Sequence, residues 1–150
     1  EAQDQTLAVP DTGMAVAIDI GNPDNIHPGN KQEAGHRLAL IAEAKTYGLA
    51  VEFAGPHFKS MIRENSAVYI KFRHAAGLAV HRGPVVGFAI AGADRIFHRA
   101  TARIEGETVI VSSPEVTDPK AVRYAWANAP MGNLINGSGL PAGPFRSDAW

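Results

Sequence analysis

Residues 14–21 read Met-Ala-Val-Ala-Ile-Asp-Ile-Gly, an apolar run that ends at an acidic residue. A continuous apolar run of this kind is typical of a strand covered on both faces, as in a parallel sheet. A short polar loop follows it, and the spacing of Asn30 and Glu33 then predicts a capped helix that extends to about Tyr47. This stretch therefore predicts the last strand and the last helix of an α/β unit.

The α/β unit predicted for residues 1–54 is too small to be stable by itself. A parallel strand needs neighbouring strands, and its helix needs a sheet to cover. We therefore expect residues 1–54 to be the C-terminal end of a larger α/β domain.

The rest of the chain, residues 55–150, has a different pattern of short alternating segments. Val68, Ile70 and Phe72 alternate with more polar side chains, and a second alternation runs over residues 122–126. Gly, Pro and Asp residues separate such segments, as in turns between strands. The pattern predicts an accessory all-β domain, a small antiparallel β-sandwich.

Composition excludes several classes of partner and site. The 150 residues carry a net charge of −1, which gives no electrostatic reason to expect a nucleic acid or an anionic membrane as partner. The longest apolar run is far shorter than a membrane span requires. The absence of cysteine excludes disulfides and Cys-ligated metals, and the histidines show no metal-type spacing. The sequence predicts no cofactor and no metal site.

The loop after the apolar run carries an Asp-x-x-His arrangement that could do chemistry. Asp24 could accept the Nδ1–H of His27, which would leave Nε2 free as a general base for a serine hydroxyl. Pro28 restricts His27 to an extended backbone. The alternative is structural: a loop histidine beside an Asx-turn aspartate that sets up the following helix.

Several long stretches, in the same order along the chain, resemble the sialate O-acetylesterases of the SGNH hydrolase superfamily. The matching residues are 11–21, 26–33, 37–40, 47–48, 53–56, 121–128, 133–134, 139–142 and 144–146. The resemblance implies a three-layer α/β/α SGNH domain for residues 1–54 and Ser-His-Asp hydrolysis of acetyl esters on sugars. An O-acetylated sugar would therefore be the substrate.

The same resemblance assigns the catalytic residues. The last block of the family supplies the catalytic histidine, here His27, and the superfamily pattern places the aspartate three positions before it, at Asp24. Many sialate esterases carry an acidic residue directly before Ile-His-Pro, where this chain has Asn25. Asp19 is therefore kept as a second candidate for the triad aspartate.

The nucleophile of such a triad is not recognisable in this sequence. Its serines are Ser60, Ser66, Ser112, Ser113, Ser138 and Ser147. None lies in a Gly-Asp-Ser or Gly-x-Ser-x-Gly turn between a buried strand and a helix. We expect the N-terminal part of the same enzyme, as a separate chain or segment, to supply the serine and the oxyanion hole. The chain alone is expected to be inactive, and export to the periplasm or the exterior is expected by analogy with the family.

A second hypothesis treats the chain as a non-catalytic carbohydrate-binding or structural β-sandwich. Trp126 is predicted to pack in the core because it lies two positions after Tyr124 and four after Val122, on the same face of a strand. The alternative is a platform on which a sugar ring stacks. Arg146 and Trp150 lie in a Gly- and Pro-rich terminal stretch. They could pack near the active site or close the sandwich, and the sequence does not decide between these positions.

Overall fold

The computed structural model describes residues 1–150, and strands dominate it. Two α-helices, α1 (Ala2–Gln5) and α2 (Lys31–Lys45), and a 3-10 turn (Thr6–Ala8) precede all the strands. The strands are β1 (His57–Glu64), β2 (Ala67–Arg73), β3 (Ala79–Val80), β4 (Phe88–Ala91), β5 (Phe97–Arg99), β6 (Thr101–Glu105), β7 (Thr108–Ser112), β8 (Ala121–Tyr124), β9 (Leu134–Ile135) and β10 (Phe145–Arg146).

All strand pairings are antiparallel and form three sheets. One four-stranded sheet has the order β1-β2-β7-β6, the other has the order β10-β8-β4-β5, and β3 pairs with β9. Val68 and Ile70 of β2 belong to the same buried apolar cluster as Val122 and Tyr124 of β8. The two larger sheets therefore share one core, which is built entirely from residues after Gly55.

Two side chains tie the C-terminal stretch to this core. The hydroxyl of Tyr124 accepts the backbone N–H of Leu134 at 2.9 Å, and burial raises the pKa of Tyr124 to about 12. The ring of Phe145 stacks on Phe58, with centroids 4.6 Å apart. The final stretch, although rich in Gly and Pro, therefore supplies two short strands and part of the aromatic core.

Asn136 joins three separate segments of the chain through one buried amide. Its Nδ2 donates to the carbonyls of Ala54 at 2.9 Å and His74 at 3.1 Å, and its Oδ1 accepts from Ser138 and Leu140. The side chain is almost completely buried. A buried amide is tolerated in a core because all of these bonds are made.

The α/β fragment expected at the start of the chain is wrong. Residues 14–18 form no strand, and the structure is a small strand-dominated domain rather than part of a three-layer α/β/α SGNH domain. The apolar run is instead covered by the β region: Ile18 packs against the core, and Val16 lies beside Gly143. The run needs apolar side chains because another layer of the domain covers it, and not because strands flank it.

The helix predicted over residues 30–47 is present as α2. The Oδ1 of Asn30 accepts the N–H of Glu33 at 3.2 Å, which is the cap that the spacing predicted. The apolar face of α2 is covered poorly, since Leu38 is 57 % exposed. Neither helix is long and apolar enough to cross a membrane. The division of the chain at residues 54 and 55 into two domains stays a prediction.

Candidate active site

The loop that carries His27 is shaped by two side chains of the loop itself. The Oδ1 of Asn22 accepts the N–H of Asp24 at 2.9 Å, and the Oδ1 of Asn25 accepts the N–H of His27 at 2.8 Å. These are Asx turns, in which a side chain replaces a backbone acceptor. A carboxylate at position 25 could accept the same bond, so asparagine preserves the backbone geometry expected for an acidic residue there.

The two predicted catalytic side chains are both exposed to solvent. His27 and Asp24 lie in the same loop, and no hydrogen bond joins the imidazole to the carboxylate. The imidazole of His27 forms no hydrogen bond with any side chain of this chain and is free to meet another group. The pairing of Asp24 with His27 stays a prediction.

Arg37 fixes the segments on both sides of this loop. Its Nη1 and Nη2 each donate to a different carboxylate oxygen of Asp19 at 2.7 Å, and its Nε donates to Glu33 at 3.0 Å. Nη1 also donates to the carbonyl of Val16 at 2.5 Å. The Arg37 side chain is 5 % exposed, and Arg37 is the one buried residue before Pro56. The residues before the loop are thus held directly against the helix after it.

The electrostatics of this ion pair define the state of Asp19. Burial alone would raise the pKa of Asp19, but the hydrogen bonds and charge of Arg37 outweigh it and hold that pKa below its usual value. Asp19 is therefore a carboxylate whose oxygens both accept from Arg37. This arrangement gives Asp19 a structural role, although the sequence left it as a second candidate for the triad.

No role of its own was predicted for Arg37 from the sequence. A signal was present, since Arg37 follows Glu33 by four positions on α2, the spacing of a helical ion pair. Its second partner, Asp19, lies 18 positions earlier. No local spacing rule relates residues so far apart.

Trp126 is on the surface, so the core packing predicted for it is wrong. The indole is 38 % exposed and borders an open depression of about 310 Å³ that follows β8. The depression is lined by Ala125, Trp126, Ala127, Asn128 and Pro144. The guanidinium of Arg146 lies 5.7 Å from the centroid of the Trp126 ring.

The remaining histidines with partners are bound to carboxylates in structural positions. His57 contacts Asp4 at 2.7 Å, and His74 contacts Glu52 at 2.8 Å. His98 pairs with Glu115 in the same way. No group of three or more His, Asp or Glu side chains is arranged to hold a metal ion. Among the serines, the Oγ of Ser113 is buried without a hydrogen-bond partner, and an attacking hydroxyl must instead be accessible to substrate.

A solved structure matches this fold over nearly the whole chain, with a TM-score of 0.95 and 49 % sequence identity. It is a carbohydrate acetylesterase from Xanthomonas citri. The match covers 99 % of this chain and 35 % of that esterase, so this chain spans about a third of the esterase's length. No family model matches the chain, and no curated protein matches it.

The similarity to this acetylesterase agrees with the esterase resemblance in the sequence at the level of a carbohydrate esterase. It also accounts for the fold, because two chains at this identity and TM-score share one architecture. The sialate and SGNH assignments, and the place of this region in a longer chain, stay predictions.

Proposed function

We propose that this chain belongs to a carbohydrate acetylesterase that removes acetyl groups from sugar hydroxyls, with His27 as the general base. The observation that carries the proposal is the solvent-exposed His27, in a loop held at both ends by Arg37, within a chain that is 49 % identical to a carbohydrate acetylesterase. An imidazole that is positioned by its backbone and free at its ring suits proton transfer to and from a bound substrate.

In the proposed reaction, His27 takes the proton of a serine hydroxyl as the oxygen attacks the acetyl carbonyl. His27 then gives this proton to the leaving sugar hydroxyl, and an acyl-serine remains. Water, activated by the same imidazole, releases acetate and regenerates the serine. Asp24 would orient His27 by accepting its Nδ1–H in the complete site.

The proposed serine and oxyanion hole come from the N-terminal part of the same enzyme, as a separate chain or segment. The solved esterase is about three times as long as the region matched here, which leaves ample chain for these groups. Apolar side chains also remain exposed on and after α2, including Leu38, Tyr47 and Leu49. Such a surface suits contact with further protein.

The proposed substrates are O-acetylated sugars such as 9-O-acetylated sialate, which the sequence resemblance favours, or acetylated xylan oligomers. We also propose that the enzyme is exported, because glycans with these acetyl groups are mostly outside the cell. Acetate release from each substrate by the complete protein would rank them.

The test of the proposal is the His27→Ala variant of the complete protein, assayed with p-nitrophenyl acetate. We expect kcat to fall by about 10²–10⁴-fold because general-base catalysis is lost. His36→Ala is the matched control, since His36 is an exposed histidine on α2, and it should keep its activity. A His27→Ala variant with near-normal kcat would contradict the proposal and favour the alternative of a non-catalytic carbohydrate-binding module.

A further inference from the structure

The backbone after β8 turns Trp126 out of the domain. Ala125 has a φ of 49°, a left-handed conformation that residues with a side chain seldom adopt. Its N–H donates to the carbonyl of Gly87 at 2.8 Å, and the residue is buried. The preceding Tyr124 side chain therefore points into the core, whereas Trp126, two positions later, does not. Strained backbone of this kind is often associated with functional sites.

The depression beside Trp126 has the size and lining of a small binding site. Its volume of about 310 Å³ is at the lower end of the range for ligand sites. Ala125, Trp126 and Pro144 give it an apolar wall, and Asn128 adds an amide that can donate and accept hydrogen bonds. Carbohydrate rings offer a matching surface, because the C–H groups on one face pack on an aromatic ring while the edge hydroxyls reach polar groups.

The charge beside the indole is already neutralised by partners within the chain. Arg146 donates from Nε at 3.1 Å and from Nη2 at 2.8 Å to Glu1, and its Nη1 donates to the carbonyl of Trp150 at 3.3 Å. Its Nη1 also lies 3.5 Å from a carboxylate oxygen of Asp148. This guanidinium is therefore not free for the carboxylate of an acidic sugar, and the site suits an uncharged ring.

We propose that the Trp126 depression is a subsite for a neutral pyranose ring of the glycan, with the ring stacked on the indole and hydroxyls bonded to Asn128. The inference rests on the proposed function, which makes a carbohydrate the substrate. The subsite would hold the chain of a polymeric substrate and take no part in the acetyl transfer.

The test is isothermal titration calorimetry of the complete protein with xylohexaose, a neutral oligomer. We expect Trp126→Ala to weaken binding at least tenfold and Trp126→Phe, which keeps a smaller ring, to weaken it less. Trp150→Ala is the matched control. Trp150 is also exposed, at 43 %, and the guanidinium of Arg95 lies 5.2 Å from the centroid of its ring. It should bind xylohexaose as well as the unaltered protein does.

Three results would overturn the subsite. The first is the absence of xylohexaose binding to the unaltered protein, and the second is equal affinity of the Trp126→Ala and Trp150→Ala variants for xylohexaose. The third is tighter Trp126-dependent binding of N-acetylneuraminic acid than of xylohexaose.

The proposed function fails separately from the subsite. The His27→Ala variant should lose its activity toward p-nitrophenyl acetate and keep its affinity for xylohexaose. Unchanged activity in this variant would count against His27 as the general base and leave the subsite untouched. Unchanged xylohexaose affinity in the Trp126→Ala variant would count against the subsite and leave the proposed function untouched.

Discussion

Arg37 and Asp19, 18 positions apart in the sequence, form a bidentate ion pair in which both N–O distances are 2.7 Å. Arg37 lies on α2, after the His27 loop, and Asp19 lies before it. Their contact therefore holds the two ends of the loop close together. Fixing the two ends reduces the number of conformations available to the residues between them. The ion pair therefore positions His27 without touching it.

The Arg37→Met variant should destabilise the protein by about 2–3 kcal/mol, less than the loss of a fully buried pair because Asp19 is partly exposed. The variant removes the hydrogen bonds to Asp19, Glu33 and the carbonyl of Val16. Thermal unfolding measures the loss, and faster amide hydrogen exchange in residues 20–30 would locate it. Arg103→Met, which breaks an exposed pair with Glu105, should cost no more than about 0.5 kcal/mol. Equal effects of the two substitutions would contradict this account.

Asp24→Asn and Asp19→Asn should separate catalysis from stability. Asp24 is exposed, and its side chain makes no hydrogen bond, so the first variant should fold normally. It should lose kcat by about 10²–10⁴-fold if Asp24 orients His27. Asp19→Asn should instead lower Tm, because a neutral amide replaces the carboxylate bound by Arg37. Acetyl ester assays and thermal unfolding of both variants give the answer. A mild kinetic effect of Asp24→Asn would remove Asp24 from the mechanism.

Stability should fall at acid pH through Asp148. Hydrogen bonds from Arg123 at 3.0 and 2.7 Å, opposed by burial, hold the pKa of Asp148 below its usual value. The unfolded carboxyl has a pKa of about 3.9, so this contribution is fully present above that value. It is lost as the pH falls through the lower pKa of the folded state, where both states become protonated.

The measurement is urea unfolding between about pH 3 and about pH 7, since linkage relates its slope to proton uptake. We expect Asp148→Asn to cost about 1–3 kcal/mol at neutral pH and to show a smaller loss below about pH 4 than the unaltered protein. Glu107→Gln is the control, because Glu107 is an exposed carboxylate outside every ion pair. An acid slope unaffected by Asp148→Asn would assign the pH dependence to other groups.

Local patterns predicted the local structure well. The Asn30 cap and the extent of α2 follow from side chains within a few positions of one another, and alternation along β2 follows from its own pleat. The strand at residues 14–18 was wrong for the same reason. An apolar run shows that something covers it, and neighbouring strands or another layer of the domain can equally do so. Here the β region covers it, through contacts such as that of Val16 with Gly143.

The catalytic roles of His27 and Asp24 stay predictions. The sequence singled them out because their loop follows an apolar run and precedes a capped helix, which is where open α/β sheets build active sites. Arg37 was missed, because the ion pair that gives it a role exists only once the chain has folded back. Trp126 was misplaced because alternation continues through it, whereas the left-handed Ala125 changes the direction in which its side chain points.

The buried Asn136 has a consequence for how the protein is made on the ribosome. Ala54 and His74 leave the ribosome long before their shared partner does, since Asn136 lies 82 and 62 positions after them. Phe145 is made later still, so the aromatic rings that pack around it remain uncovered in the nascent chain until that residue has been synthesised. Translation that pauses after β8 would therefore leave apolar rings exposed, and we expect such an intermediate to aggregate and to be cut by proteases. Native packing of the core must follow the synthesis of β9 and β10.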